Sequence, residues 1–537
     1  MHAFNSARRE LLKLSGIGLA AAAVTSAPAA FAATPSSASS IFDIRTYGAV
    51  GDGKTVDSPA INKAIEAAAA AGGGVVFFPA GTWLSFSIRL KSNVGLHLSQ
   101  GATLLAADSP KPGEATGYNG GTYDAAESND PWTPYQDYGH NHWHNSLIWG
   151  ENLHNISITG PGLIWGKGLS RGTRTGFVAE QPGVGNKTIA LKNCRNVLFR
   201  DFSILKGGHF GLLLTGVDNL TIDNLTIDTD RDGMDIDCCK NVRVSNCFVN
   251  SPWDDGICPK SSYALGYAGA TENVTITNCY VSGCYEMGTF LDGTFKKYAA
   301  DFKVPRTGRI KCGTESNGGF KNIAISNCVF EGCRGLALES EDGALCEDIV
   351  ISNLTMRDVI NAPLFFRLGA RLRGPKESTH VGTLQRVLVN NLVSYNTGSR
   401  ICSLISGIPG HSILDLKLAN IYIEHQGGGT AETAKIVMPE NIEKYPDPQM
   451  FGNDTPAQGF FLRHVNNLEM SHVEVRPRQA DYRPSFYLED VNRADFLAVT
   501  APTNPPAFSL NKVTDLRILF SRAAKDMQLE TVDNKSL

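Results

Sequence analysis

The 537 residues hold 42% hydrophobic and 19% charged side chains, the composition of a globular protein with material for a large core. The net charge of −4 removes the electrostatic case for nucleic acid or an anionic membrane as partner. Gly, at 54 residues, favours turns over long helices.

The chain begins with Arg8-Arg9-Glu10-Leu11-Leu12-Lys13, an apolar run from Leu14 to Val24, and Ala30-Phe31-Ala32 as a cleavage site. This predicts an export signal over residues 1–33 and a linker over 34–41. The apolar run is too short to span a bilayer, and no later segment is long enough. The paired arginines resemble a twin-arginine signal, the alternative being an ordinary secretory signal that holds two arginines. The expected location is periplasmic or extracellular, with no membrane contact once the signal is removed. The signal carries a net charge of +2, so the mature chain stands near −6.

From residue 42 onward a single domain is expected. Asp57 or Ser58 is positioned to cap a helix from Pro59 to about Ala71, stopped by Gly72-Gly73-Gly74. Val75-Val76-Phe77-Phe78 then reads as a buried strand. A helix here would shield the open end of a solenoid.

The solenoid is indicated by a recurring phrase: Asn, aliphatic, any, aliphatic, any, Asn or Asp. It occurs at Asn155, Asn196, Asn219, Asn241, Asn273 and Asn322, with weaker copies near Asp348, Val387, Leu416 and Asn467. Each copy alternates apolar and polar residues, the period of a half-buried strand. The steps from Asn196 to Asn219 and on to Asn241 are 23 and 22 residues, one coil each. Val- and Ile-rich strands at that period predict an all-β, right-handed parallel β-helix. The competing leucine-rich horseshoe lacks its L-x-x-L-x-L phrase. The repeated Asn suits amide ladders between coils and tolerates tight-turn backbone angles. Longer steps imply inserted loops, notably near 285–307 and 426–459; the latter reads as a lid or a plain surface excursion. Of the twelve cysteines, Cys247, Cys279 and Cys328 each follow Asn in a strand phrase, where small buried side chains stack; most thiols are expected to stay free.

Acidic residues cluster in two successive coils, Asp228 to Asp237 and Asp254-Asp255. Asp232 and Asp254 are 22 residues apart, one local coil, which predicts a separation of roughly one strand spacing, ~4.8 Å. Like charges so close raise the pKa of at least one of them, and an acid beside a carboxylate is what glycoside hydrolysis requires. Asp254 and Asp255 share one side only if the backbone bends, and Pro252 and Gly256 favour a bend. Calcium binding and a solvated charged surface are the alternatives for such a cluster. His209 and Trp253 are candidates to line the groove, against structural roles for both. His140, His142 and His144 alternate as metal ligands do, but no acidic or Cys partner is identifiable, so no metal is assigned.

The motifs together resemble the polygalacturonase family, glycoside hydrolase family 28. The likeness is carried by Tyr47-Gly48-Ala49-Val50-Gly51-Asp52-Gly53-Lys54-Thr55, by Leu90-Lys91-Ser92-Asn93-Val94 to Gly101-Ala102-Thr103-Leu104, by Asp232-Gly233-Met234-Asp235, by Asp254-Asp255 and by Lys260-Ser261. It covers residues 42–360 well and the remainder loosely. The resemblance implies inversion at the anomeric carbon without metal or organic cofactor, Asp255 as general acid, and Asp232 and Asp254 activating water. It makes Lys260 a substrate-binding candidate.

Three departures stand out. Asp230-Arg231 replaces the family's N-T before Asp232, and its G-H-G triplet has no His counterpart. The family's carboxylate-gripping R-I-K occurs in letters at Arg309-Ile310-Lys311, whereas the following Glu315-Ser316-Asn317-Gly318-Gly319 aligns the family site with Leu336-Ala337-Leu338-Glu339. In that alignment Arg309 and Lys311 approach from an inserted loop, and a sugar other than galacturonate is in play. The expected partner is a polysaccharide or oligosaccharide bound by a monomer. The functional alternatives are a rhamnogalacturonan or other plant-glycan hydrolase, a polysaccharide lyase, and a non-catalytic glycan-binding β-helix.

Overall fold

In the computed structural model, residues 40–172 and 180–537 are described. The export-signal segment lies outside them. Residues 40–537 form one compact unit.

Its strands stack in parallel as successive coils of a β-helix, so the fold anticipated from the Asn-aliphatic phrase is the one adopted. Val197 pairs with Ile156, Leu220 with Val197, Val242 with Leu220, Val274 with Val242 and Ile323 with Val274, in register and in parallel. The same column runs on through Ile349, Val387, Leu416 and Leu468. All of these side chains are buried. Each contributes about 1.5–3 kcal/mol relative to an exposed position, and the alternating polar residues face outward.

The phrase-initial Asn has a backbone reason. Asn155, Asn196, Asn219, Asn241, Asn273 and Asn322 all have φ between 54 and 57°, left-handed turns that Asn tolerates better than other side chains. Their side chains also bridge the coils: Asn219 Nδ2 donates to Asn196 Oδ1 at 2.9 Å, and Asn196 to Asn155 at 2.9 Å. The turn that closes each coil thus also ties it to its neighbour.

Both ends are covered. The helix Ser58–Ala70 buries Ala60, Ile61, Ala64, Ile65 and Ala68 against the first coil. Asp57 stands at its N-cap position, but its carboxylate is used elsewhere, accepting from Val50 N at 2.7 Å and Gly51 N at 3.1 Å. At the other end, Met527–Val532 and Lys535–Ser536 run antiparallel to the strand Phe508–Leu519 and occupy its open edge. All twelve cysteines are buried and unlinked.

One side of the coil is a separate parallel sheet of six strands, ending in Phe210–Thr215, Asp232–Asp237 and Ile257–Lys260. Ile310 continues it by a parallel bridge to Ile257, and Lys311–Cys312 pairs with Ala337–Leu338. Arg309 and Lys311 therefore belong to the regular coil rather than to an inserted loop, which corrects the expectation drawn from the alignment. Among the described residues, no helix is long and apolar enough to cross a membrane.

Candidate active site

A cleft of about 480 Å³ opens over this side of the coil. Its floor comes from consecutive rungs. Gly233 N donates to Asp255 O at 3.0 Å and Met234 N to Gly256 O at 3.0 Å, which sets Asp232 beside Asp255. A Cβ on Gly233 would lie 2.5 Å from Gly256 O, so the residue after Asp232 must be glycine for the rungs to meet. The chain turns at Pro252-Trp253, and Ser251 Oγ holds the turn by donating toward Arg231 O at 2.5 Å and Asp254 O at 3.0 Å. Because of that turn, Asp254 and Asp255 reach the same side. One carboxylate oxygen each from Asp232, Asp254 and Asp255 lies within 4.8 Å of the others.

The environments of the three acids differ. Asp255 is 1% exposed and is held by Arg309 Nε at 2.8 Å on one oxygen and Lys311 Nζ at 2.5 Å on the other. Burial opposes its ionisation, yet Lys311 and Arg309 outweigh burial and hold the carboxyl well below the usual range. Asp232, 5% exposed, lacks such a clamp. Burial first, then the charges of Asp254 and Asp235, push its pKa well above the ordinary value, which favours the protonated form. Asp254 is the most open of the three and takes Arg231 at 2.6 Å. The two cations on Asp255 favour its ionised form, which sits less easily with the general-acid role the family resemblance implies for it than with that of a base.

The remaining sequence candidates all line the cleft: His209, Trp253, Lys260, Arg309 and Lys311. Their partners redefine them. Lys260 Nζ sits 3.2 Å from Glu315 and 3.9 Å from Asp235. Arg309 also reaches Glu339 at 3.3 Å. His209 Nδ1 lies 2.8 Å from the carbonyl of Arg171, which can only accept, so the proton is on Nδ1 and Nε2 is an acceptor. Burial pushes its pKa well below the ordinary value and keeps the ring neutral. One face of Trp253 carries the Arg171 guanidinium, 5.4 Å from the ring centre.

Several lining residues lie outside the sequence candidates for catalysis or substrate binding, and His140, for which the sequence offered no acidic partner, has two. Asp137, Tyr138 and His140 arrive on the stretch between the strands Ala102–Ala106 and Ser146–Glu151. His140 is clamped by Glu315 on Nδ1 and approaches Asp235 at 3.3 Å on Nε2. Burial opposes its charge, but Glu315 raises its pKa to about 10. Pro305 and Thr307 add a second wall, and Tyr445 and Asp447 of the 426–459 stretch a third. Arg334 pairs with Asp447, and Tyr445 OH lies 3.1 Å from Thr314 Oγ1. The advance signals were the alternating His140, His142 and His144 and the insertions near 285–307 and 426–459.

Such a cleft brings together a buried carboxyl without a cation clamp, a carboxylate held by two cations and groups able to bind hydroxyls. Residues 41–290 match the family model described as rhamnogalacturonase A/epimerase, pectate lyase-like. A Vitis vinifera protein named "Probable polygalacturonase" is 23% identical over 409 residues, 70% of this chain and 73% of that protein. The exo-poly-alpha-D-galacturonosidase of Dickeya chrysanthemi is 44% identical over 68 residues, 13% of this chain and 11% of its own length. Among solved structures, a hyperthermoactive exopolygalacturonase from Thermotoga maritima aligns with a TM-score of 0.55 at 19% identity, over 72% of this chain and 87% of that one, a likeness of fold.

Proposed function

The chain is polygalacturonase-like, and from that premise we propose that it is a glycoside hydrolase acting on a pectin-type glycan through Asp232, Asp254 and Asp255. The observation that carries the reading is three carboxyls crowded within 4.8 Å on one cleft floor, of which Asp255 is clamped by two buried cations, Arg309 and Lys311, while Asp232 has no such clamp. In the proposed cycle the glycosidic C–O bond breaks as the proton of Asp232 passes to the leaving oxygen. Asp255 takes a proton from the water whose oxygen bonds to the anomeric carbon.

Both Asp255 oxygens are engaged by cations, which disfavours covalent attack by that carboxylate and supports a single displacement with inversion. The nearest oxygens lie within 4.8 Å. Inverting pairs typically stand about 6.5–9.5 Å apart. The case for inversion thus rests on the occupied nucleophile and the family likeness, not on spacing. The walls at Asp137–His140, at Pro305 and Thr307, and at Tyr445 and Asp447 favour attack near a chain end over the middle of a long polymer. The arginine-paired N-terminus supports export to the periplasm or the exterior, where the protein acts as a monomer.

The test follows reducing ends released from polygalacturonate and rhamnogalacturonan by the wild-type protein and D255N. Release that D255N abolishes is expected. Release that persists in D255N removes the base assignment. An unsaturated, ultraviolet-absorbing product would instead indicate a lyase.

A further inference from the structure

We propose that a second pocket, back to back with the cleft, is a subsite for the carboxylate of a uronate unit, with Lys167 and Lys206 as its cations. The proposal rests on the hydrolase reading above and extends the path of the same glycan beyond the aspartates.

The coil itself builds the pocket. Trp165, Leu205 and Asp228 stand in register at the ends of three stacked strands. The turns that follow therefore lie side by side, about 4.8 Å apart. They bring Lys167, Lys206 and Thr229 together around a hollow of about 170 Å³. Their packing is close: Gly166 N donates to Leu205 O at 2.8 Å, and a Cβ on Gly166 would lie 2.1 Å from Lys206 O. Met287, from the 285–307 insertion, adds an apolar lining. A pocket for a whole small molecule spans about 300–1,000 Å³, so this one takes one end of a ligand.

The same turns feed the cleft. Gly208, Asp230 and Arg171 line the pocket, and the next residue of each, His209, Arg231 and Gly172, lines the cleft. One thickness of backbone thus divides the two. Arg171 forms the crest: its guanidinium lies 5.4 Å from the ring centre of Trp253 on the cleft side, and its Nε meets Asp230 at 2.7 Å on the pocket side. Charge gives the ligand class. Three cations and one acid line the pocket, and Arg171 already takes the acid. Among the described residues, no carboxylate forms an ion pair with Lys167 or Lys206, and both lysines are exposed. Lys167 Nζ stands 5.8 Å from the Trp165 ring centre. Two such ammonium groups on neighbouring turns make a local positive patch on a chain of net charge −4. A polyuronate carries carboxylates along its length, so one can rest here while a glycosidic bond lies over the aspartates.

The test compares the wild-type protein with K167A/K206A on oligogalacturonides and on their methyl esters, which carry no charge. On the free acid, KM is expected to rise about 10-fold in the double variant, the scale of two exposed charge contacts, and to depend less on salt. On the methyl ester the two proteins should differ by less than about twofold. Calorimetry on the D255N background reads binding without turnover and should show the same loss for the acid, recovered in K167R/K206R. Equal KM and equal binding of the acid in wild type and K167A/K206A overturn the subsite and leave the hydrolase standing. Loss of inorganic phosphate binding in the double variant, with glycan binding unchanged, also overturns it and makes the pocket a general anion site. No release from any glycan by the wild type overturns the hydrolase reading, and calorimetry with the acid then still decides the pocket.

Discussion

Lys311→Met tests the protonation split most directly. Lys311 Nζ lies 2.5 Å from Asp255 Oδ2, both groups are buried, and Arg309 holds the other oxygen at 2.8 Å. Removing one partner of a buried pair costs about 3–5 kcal/mol when nothing else compensates the charge. Arg309 remains, so the low end applies, about 3 kcal/mol. At 1.36 kcal/mol per pKa unit this raises the Asp255 pKa by about 2 units. The sign follows from its depressed pKa: the ionised form that activates water is lost as pH falls through that value. In K311M the acid limb of the kcat/KM–pH profile therefore moves up by about 2 pH units, while the alkaline limb, set by the proton on Asp232, stays in place. The stability lost by K311M in urea titrations should be full above the ordinary Asp pKa and fade as Asp255 protonates. An unmoved acid limb in a folded K311M protein would refute the clamp as the source of the Asp255 charge state.

Asp232→Asn should lower kcat by about 10²–10⁴-fold while leaving the melting temperature equal or higher, because an amide removes a buried acid crowded by Asp254 and Asp235; circular dichroism melts and initial rates measure both. Proton NMR of the first-formed product should show the anomer opposite to that of the substrate, and retention would point to a carboxylate nucleophile. Asn219→Ala should cost about 1–2 kcal/mol, from a left-handed residue and a lost amide bond, whereas Asn219→Gly, which keeps the backbone, should cost less. Denaturant unfolding of the two variants separates the turn from the ladder.

The coil was legible because its signal is local and repeated. Every Asn-aliphatic phrase reports the same turn and the same inward column, and the 22-residue step from Asp232 to Asp254 converts spacing along the chain into adjacency across rungs. What stayed hidden depends on contacts that no period encodes. His140 meets Glu315 across 175 residues, and Asp137 meets Arg373 across 236. The clamp on Asp255 was hidden for a related reason. Family likeness identified the acids, but the clamp needs Arg309 and Lys311 in the rung beyond Ile257, and the alignment had assigned them to a loop. Asp57 illustrates the same limit at small scale: its N-cap position was readable, while the diversion of its side chain to Val50 and Gly51 was not.

The cleft's floor and its three walls come from different stretches of chain, the floor from regular rungs and the walls from segments joined to the coil at their ends. Evolution can therefore lengthen, trim or replace a rim segment to retune ligand choice without disturbing bond cleavage below. A set of descendants sharing this base while differing in diet is the natural outcome, and swapping the 426–459 stretch between such relatives is a direct route to engineered selectivity.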